Sequence, residues 1–200
     1  MNEFDSRARN WDSVRLYLDR SASIAKLIQE MIPVNKDMEA LDYGAGTGQL
    51  SFFLSEVFSK ITLMDNSLEM VQVMQEKVMK RGKKNLKPLF WDLVHSEYKI
   101  NKFDCIFSEM VLHHISNTED ILKKWQKMLN PDGYLAIADL ISEDGSFHLS
   151  EANVHLGFNP EDLVFMLKLL GFRNIEHRIC YNIKRPDGRN YPVFILVAKK

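Results

Sequence analysis

Three carboxylates stand where predicted strands end, and a glycine-rich segment follows the first of them. Asp42 precedes this segment, in which glycine occupies every second position from 44 to 48. Glycine lets bare backbone approach a ligand because it has no Cβ. Asp65 and Asp92 end the next two predicted strands, and their carboxylate oxygens can accept hydrogen bonds from the hydroxyl or amine groups of a ligand. The pattern predicts a site for a polar organic ligand at one edge of a sheet.

The register of the glycines narrows the class of ligand. A P-loop needs Gly-Lys followed by Ser or Thr, which the segment does not contain. The dinucleotide fingerprint G-x-G-x-x-G needs glycine where Gln49 stands, whereas the third glycine comes one residue early, at Gly48. An NAD-type oxidoreductase is therefore disfavoured but stays as an alternative. An ordinary strand-to-helix turn is the other one, although three alternating glycines exceed what a turn requires.

The elements that position these residues follow from the periodicity of apolar residues. Short apolar runs alternate with helical patterns, which predicts an α/β fold: a doubly wound, mostly parallel, seven-stranded sheet within a single domain, residues 1–200. The last two runs are joined by a turn, which implies one antiparallel strand near the C-terminus. The predicted strands are 39–43, 60–64, 86–91, 103–108, 134–138, 175–183 and 192–198, and the predicted helices are 21–31, 49–58, 67–81, 120–129 and 160–170, with a turn at 130–133.

Composition sets the broad class of protein. Hydrophobic residues make up 46% of 200 residues, enough for one core, and the net charge of -1 argues against nucleic acid or an anionic membrane as a partner. The basic cluster between Lys77 and Lys87 is interpreted as a solvated helix end. The polar N-terminus and the lack of a long apolar run predict a cytoplasmic protein. Cys105 and Cys180 are expected to be buried strand thiols.

Four segments resemble one known family. Residues 42–48 resemble the first motif of class I methyltransferases that depend on S-adenosylmethionine (SAM), an acid followed by G-x-G-x-G. Residues 103–115, with their L-H-H-I ending, resemble the family's fourth motif, and residues 128–134 its L-x-P-G-G turn. Residues 4–12 are similar to its F-D-x-x-A-x-x-W-D opening. The resemblance covers roughly residues 38–140 and implies a Rossmann-like fold and methyl transfer from S-adenosyl-L-methionine, which leaves S-adenosyl-L-homocysteine.

The resemblance also implies a set of cofactor-binding residues. Asp42 would help to hold the ammonium group, and the glycine loop would lie beneath the methionine part. Asp65 would accept from both ribose hydroxyls, although it could instead cap the following helix. Asp92 would accept from the adenine amine, with Trp91 or Leu93 over the adenine face. The full set is Asp42, Gly44, Ala45, Gly46, Gly48, Asp65, Asn66, Trp91, Asp92, Leu93, Ser108 and Glu109.

The sequence does not identify the methyl acceptor, although a small molecule is favoured. Several residues are candidates for the acceptor pocket. His113 and His114 are candidate bases or positioning groups, since neutral imidazole can take a proton near pH 7. The resemblance implies that residues 1–35 form a helical lid, in which Trp11 and Tyr17 seal the site, although a plain amphipathic helix is an alternative explanation for both residues. Residues 141–159 are predicted to form a substrate-side loop, with Asp139, His148 and His155 as further candidates.

Three further expectations concern partners and activity. No metal is expected, because Asp139, His148 and His155 lack a compact ligand spacing. A monomer or homodimer is expected, without membrane or nucleic-acid partners. A protein that binds SAM without catalysis remains an alternative, because the motifs report binding rather than turnover.

Overall fold

The computed structural model describes residues 4–99, 102–148 and 154–200, and a seven-stranded sheet runs through them. The strands are β1 Glu39–Tyr43, β2 Lys60–Asp65, β3 Leu86–Phe90, β4 Phe103–Glu109, β5 Leu129–Leu140, β6 Arg173–Lys184 and β7 Asn190–Lys199. Their order across the sheet is β3-β2-β1-β4-β5-β7-β6. Strand β7 is antiparallel to both neighbours, whereas the other pairings are parallel. The predicted fold and its single reversed strand are confirmed.

Five α-helices accompany the sheet in the described residues, with a 3₁₀ helix at Asp5–Ser13 before them and a short one at Leu112–His114. They are α1 Arg15–Met31, α2 Gln49–Leu54, α3 Leu68–Arg81, α4 Thr118–Met128 and α5 Pro160–Leu169. None of the described helices is long and apolar enough to cross a membrane.

Two buried clusters lie on opposite faces of the sheet. One packs α1, α2 and α3 against side chains such as Ala40 and Phe107, and the other packs α4 and α5 against Leu41 and Ile106. Because neighbouring strand residues point to opposite faces, both faces of the central strands are buried. This explains why the strands are continuous apolar runs rather than alternating ones. Cys105 and Cys180 are buried free thiols, as expected.

Three boundaries differ from the predicted ones by more than two residues. Helix α1 begins at Arg15 rather than at residue 21. The predicted start was too late because Arg20 interrupts the apolar stripe in the sequence, although its side chain is buried in the fold. Helix α2 ends at Leu54, four residues early. The predicted turn at 130–133 lies inside the range of β5, where Asp132 has a φ of 63° and the pairing with β4 shifts register.

Candidate active site

A cavity of about 540 Å³ opens at the carboxyl ends of the parallel strands, where ligands of open α/β sheets bind. It brings together most of the residues singled out in the sequence: Trp11, Tyr17, Asp42, Gly44, Ala45, Gly46, Asp65, Asn66, Trp91, Glu109, His113, His114 and His148. Six others do not line it: Gly48, Asp92, Leu93, Ser108, Asp139 and His155. The cavity volume lies in the range of small-molecule sites.

The glycine loop combines two separate steric requirements. Gly44, with φ of 69°, has no room for a side chain, because an added Cβ would lie 2.4 Å from Val111 Cγ2. At Gly48 an added Cβ would lie 2.7 Å from Leu63 Cδ2, away from the cavity. Gly48 therefore allows α2 to pack on the sheet, whereas Gly44 and Gly46 form the surface that a ligand meets.

Two buried carboxyl groups flank this loop. Asp42 is 2% exposed and accepts a 2.6 Å hydrogen bond from Ser51 Oγ, and burial raises its pKa to about 8. Asp65 accepts from the backbone N–H groups of Gly46 at 2.7 Å and Ser67 at 2.8 Å. Burial also raises the pKa of Asp65, to about 6, although those backbone donors favour its charged form. At pH 7 Asp65 is therefore mostly ionised, whereas Asp42 is mostly neutral and would ionise when a cation approaches.

The local geometry does not support the alternative that Asp65 merely caps α3. The N-cap of α3 is Ser67, whose side chain accepts from Met70 N at 3.2 Å. Asp65 instead ties the glycine loop to the residue that caps α3. Its carboxylate stays on the cavity wall beside Asn66.

The end of β3 differs from the prediction. Leu93 is 1% exposed and packs in the core, so it does not cover a ligand; Val94 lines the cavity beside Trp91. Asp92 also lies outside the lining, because Val94 N and the His95 backbone and ring donate to its carboxylate. Partial burial alone would raise the pKa of Asp92, but these hydrogen bonds hold it below its ordinary value.

The floor of the cavity contains an ion pair that the sequence did not reveal. Glu109 accepts from Arg20 Nε at 2.7 Å and from Ser21 Oγ at 2.8 Å, and both ionic side chains are at most 10% exposed. Ser108 instead donates to the carbonyl of Tyr43 at 3.0 Å, beneath the surface. The only sequence signal for Arg20 was a charge on the apolar stripe of α1, one turn before Ile24.

The N-terminal segment is fastened over the glycine loop by polar contacts. Asp12 accepts from Thr47 Oγ1 at 2.5 Å and Gln49 Nε2 at 2.9 Å, and it pairs with Lys77 at 2.6 Å. The Trp11 indole lies over the loop, with its Nε1 3.8 Å from the point where a Cβ on Gly46 would stand. The described part of the predicted lid thus covers the loop, and residues 1–3 lie outside the described residues.

Three histidines converge on the other side of the cavity. His113 and His114 end the 3₁₀ turn after β4, and His148 follows β5. Their ring centroids are 4.1 to 5.7 Å apart. Burial and, to a smaller extent, the neighbouring imidazoles lower the pKa of His114 to about 3, so this ring is neutral at pH 7. Neutral imidazole supplies a lone pair for a proton or a metal ion.

Asp139 acts through His113 rather than at the cavity surface. It is fully buried, and its Oδ1 accepts from His113 Nδ1 at 2.6 Å, which leaves Nε2 of the ring with a lone pair. His155 is likewise outside the lining: its Nε2 donates to the carbonyl of Ile115 at 3.0 Å, and its backbone N–H donates to that of His113 at 2.8 Å. His155 therefore fixes the chain around His113. Residues 149–153 of the predicted substrate loop lie outside the described residues.

Aromatic and cationic side chains complete the histidine side. Phe147 packs edge-on against Tyr191, with ring centroids 5.0 Å apart. Arg185 donates to the Phe147 carbonyl at 3.0 Å, and its guanidinium lies 4.9 Å from the Phe147 ring centroid. Phe147, Arg185 and the exposed Arg7 all line the cavity, and none was predicted.

Comparison with known proteins places this arrangement in a family. A family described as a methyltransferase domain matches residues 34–164. An uncharacterized methyltransferase of Schizosaccharomyces pombe is 29% identical over 155 residues, which is 70% of this chain and 55% of that protein. The chain thus spans about half the length of that relative. The demethylmenaquinone methyltransferase of Tropheryma whipplei is 23% identical over 201 residues, with 86% of this chain and 82% of that protein covered.

A solved structure shares the fold. The phosphoethanolamine N-methyltransferase 2 of Haemonchus contortus, in complex with S-adenosyl-L-methionine, aligns with a TM-score of 0.74 and 19% identity. The alignment covers 88% of this chain and 52% of that one. The glycine loop, the acids and the cavity thus lie in a fold that solved methyltransferases share.

Proposed function

The chain belongs to the class I SAM-dependent methyltransferase family, and from that premise we propose that it methylates a small molecule with an apolar body and an anionic group. The observation that carries the proposal is the division of one cavity of about 540 Å³ between two chemistries. One side offers the glycine loop and acids that suit SAM, the methyl donor of the family. The other offers aromatic rings, arginines and histidines.

The cofactor side fits SAM by the chemistry of its groups. The carboxylate of Asp65, on the cavity wall, suits the two ribose hydroxyls, and Asp42 lies near enough to the loop to favour an ammonium group. Trp91 and Val94 offer apolar surface for adenine. Glu109, held by Arg20, keeps a fixed carboxylate at the floor. SAM supplies an electrophilic methyl group on a sulfonium centre.

The acceptor side positions a nucleophile for in-line displacement. The acceptor heteroatom forms the new bond to the methyl carbon while the carbon–sulfur bond breaks, and sulfur keeps the electron pair. Asp139 holds the proton of His113 on Nδ1, so Nε2 can take the proton that the acceptor loses. The remaining acceleration comes from positioning of the reactants and from exclusion of water. Water would be excluded by the proposed lid, residues 1–35, and by the proposed substrate segment, residues 141–159.

The mouth of the cavity supports the anionic acceptor. Arg185 and Arg7 line it beside Phe147. Arg20 also lines the cavity, where it pairs with Glu109. An arginine that stacks on an aromatic ring at the wall of a cavity is suited to bind a carboxylate or phosphate. An apolar acceptor body would pack on Phe147 and Phe4.

The test is formation of S-adenosylhomocysteine with matched pairs of acceptors. Aromatic acids that carry a hydroxyl or thiol are compared with their methyl esters, which lack the charge. We expect product with the acids, and Arg185→Gln should raise KM for the acids at least tenfold without changing the affinity for SAM. Arg178→Gln is the control, because Arg178 pairs with Glu176 on β6 outside the cavity.

Two outcomes would contradict the proposal. Product from the esters and acids alike, with Arg185→Gln without effect, would remove the anionic requirement. SAM binding without product from any acceptor would favour the alternative of a SAM-binding protein without catalysis.

A further inference from the structure

Among the described residues, one set of three potential metal ligands is gathered in a single place. His113, His114 and His148 each offer one ring nitrogen, and these three nitrogens lie within 4.8 Å of one another. No compact sequence motif contains all three, because His148 follows His114 by 34 residues. The fold brings them together at the carboxyl ends of β4 and β5, where both chain segments turn towards the cavity.

We propose that these three histidines bind a divalent transition-metal ion of the zinc class on the acceptor side of the cavity. Three imidazoles exceed what a general base needs, since one suffices to remove a proton. They match the three-ligand pattern of catalytic zinc, in which a fourth position stays open. Imidazole also suits zinc, copper, nickel and iron better than magnesium or calcium, which prefer oxygen.

The surroundings of His113 are those of a metal ligand. Its Nδ1 is committed to Asp139 at 2.6 Å, so its Nε2 is the atom left to bind an ion. Histidine ligands almost always donate their other ring N–H to a carboxylate or carbonyl, which orients the ring and strengthens the ligand. Asp139 also accepts from the His113 backbone at 3.2 Å and from Leu140 N at 2.7 Å, so the carboxylate is itself held in place.

His148 is positioned by a packed segment. Phe147, its neighbour, packs against Tyr191 and accepts a hydrogen bond from Arg185. Phe147 N donates to Glu143 Oε2 at 2.9 Å, and Ser146 Oγ lies 2.7 Å from the hydroxyl of Tyr191. These contacts bring the His148 ring to 4.8 Å from that of His113, measured between centroids.

The geometry requires a modest contraction on binding. Zinc–nitrogen bonds of about 2.0–2.1 Å in a tetrahedron hold the nitrogens about 3.4 Å apart. The widest separation of 4.8 Å must therefore shrink by about 1.4 Å, which side-chain rotation of the partly buried His114 and His148 can supply. His113 is fully packed and would stay in place.

The open position gives the ion a role, and this role rests on the proposed methyl transfer. A hydroxyl or thiol of the acceptor that binds there has its pKa lowered by the ion. In the metal-loaded protein the lone pair of His113 is used by the ion, so activation of the acceptor passes from imidazole to the metal. Binding of the ion itself does not depend on methyl transfer.

The test measures metal content and spectrum rather than turnover alone. The full chain is stripped with a chelator and titrated with Zn²⁺, and Co²⁺ serves as the spectroscopic substitute. We expect one tightly bound Zn²⁺ per chain and the visible absorption of four-coordinate Co²⁺. His148→Ala should abolish both. Asp139→Asn, which keeps the shape of the side chain but removes the carboxylate that orients His113, should weaken Zn²⁺ binding by about 10–100-fold.

A matched control separates this site from adventitious binding. His177→Ala removes a histidine that pairs with Glu161 on α5, outside the cavity, and should leave Zn²⁺ binding unchanged. SAM affinity, measured on every variant, reports whether it is folded. Wild-type protein that takes up no stoichiometric Zn²⁺, or His148→Ala that binds as wild type does, would overturn the inference. SAM binding and product formation without any metal would support the proposed function and contradict the metal site. A bound metal without SAM binding would support the metal site and contradict the proposed function.

Discussion

The two sides of the cavity are built in different ways. On the cofactor side, Gly46 and Asp65 follow or end consecutive strands, and the Gly46 N–H donates to the Asp65 carboxylate at 2.7 Å. On the acceptor side, His113 meets Asp139 across 26 residues, and His148 enters from the segment after β5. The first side depends on the local shape of one loop and the next strand, whereas the second depends on how several segments pack.

This difference separates binding from turnover. Backbone N–H groups and short loops fix the cofactor side, so a change among the histidines should leave SAM affinity intact. The acceptor side presents imidazole, aromatic and guanidinium side chains to the cavity, so a single substitution there should act on catalysis. Variants that alter only one of the two properties are therefore the sharpest tests.

Substitution at His113 should give the largest effect. His113→Gln removes the nitrogen that Asp139 orients, and turnover should fall by about 10²–10⁴-fold with SAM affinity unchanged. Steady-state kinetics and calorimetry on the same preparation measure both quantities. His177→Gln, outside the cavity, is the control. If SAM affinity fell together with turnover, the two sides would not be independent.

Substitution at Asp65 should give the converse result. Asp65→Ala removes the acceptor for the ribose hydroxyls and also frees Gly46 N, so SAM affinity should fall by roughly 10–100-fold, equivalent to about 1.5–3 kcal/mol. Turnover at saturating SAM should change much less. Calorimetric titration measures the affinity, and Asp92→Ala is the informative comparison, since Asp92 lies outside the cavity lining. Equal losses in the two variants would shift the ribose role away from Asp65.

The same contrast explains what could be predicted from sequence. The strands, the reversed β7 and the glycine loop follow from periodicity and local motifs, which depend on near neighbours. The ion pair between Arg20 and Glu109 could not be predicted, because 89 residues separate them in the sequence. In addition, a charged residue within an apolar stripe indicates the end of a helix rather than a buried side chain. Leu93 was predicted to lie on the cavity, but Val94 lines it and Leu93 is buried. Sequence alone could not show which of these two neighbouring side chains points into the core.

The lid contacts should have an intermediate effect on SAM affinity. Asp12→Ala removes the carboxylate that joins Thr47, Gln49 and Lys77, so the lid should open more often and SAM should dissociate about 3–10-fold faster. Stopped-flow displacement of SAM measures the rate. Asp19→Ala is the control on the same segment, since Asp19 pairs with the exposed Arg15 one turn away. An unchanged dissociation rate in Asp12→Ala would mean that the covering segment does not retain the cofactor.

The pH dependence of SAM binding should be the smallest effect and the most specific for the cofactor side. Burial raises the pKa of Asp65 to about 6, so the charged form that accepts from two hydroxyls is complete above that pH and is lost as pH falls through it. The loss of charge on Asp65 alone should therefore lower SAM affinity about twofold between pH 7.5 and pH 6, and further below, where the neutral acid predominates. Asp65→Asn should bind more weakly but with a flatter pH profile. Any slope that remains in Asp65→Asn reports Asp42, whose pKa of about 8 would place it higher on the pH scale. The same slope near pH 6 in wild type and Asp65→Asn would show that another group senses the cofactor.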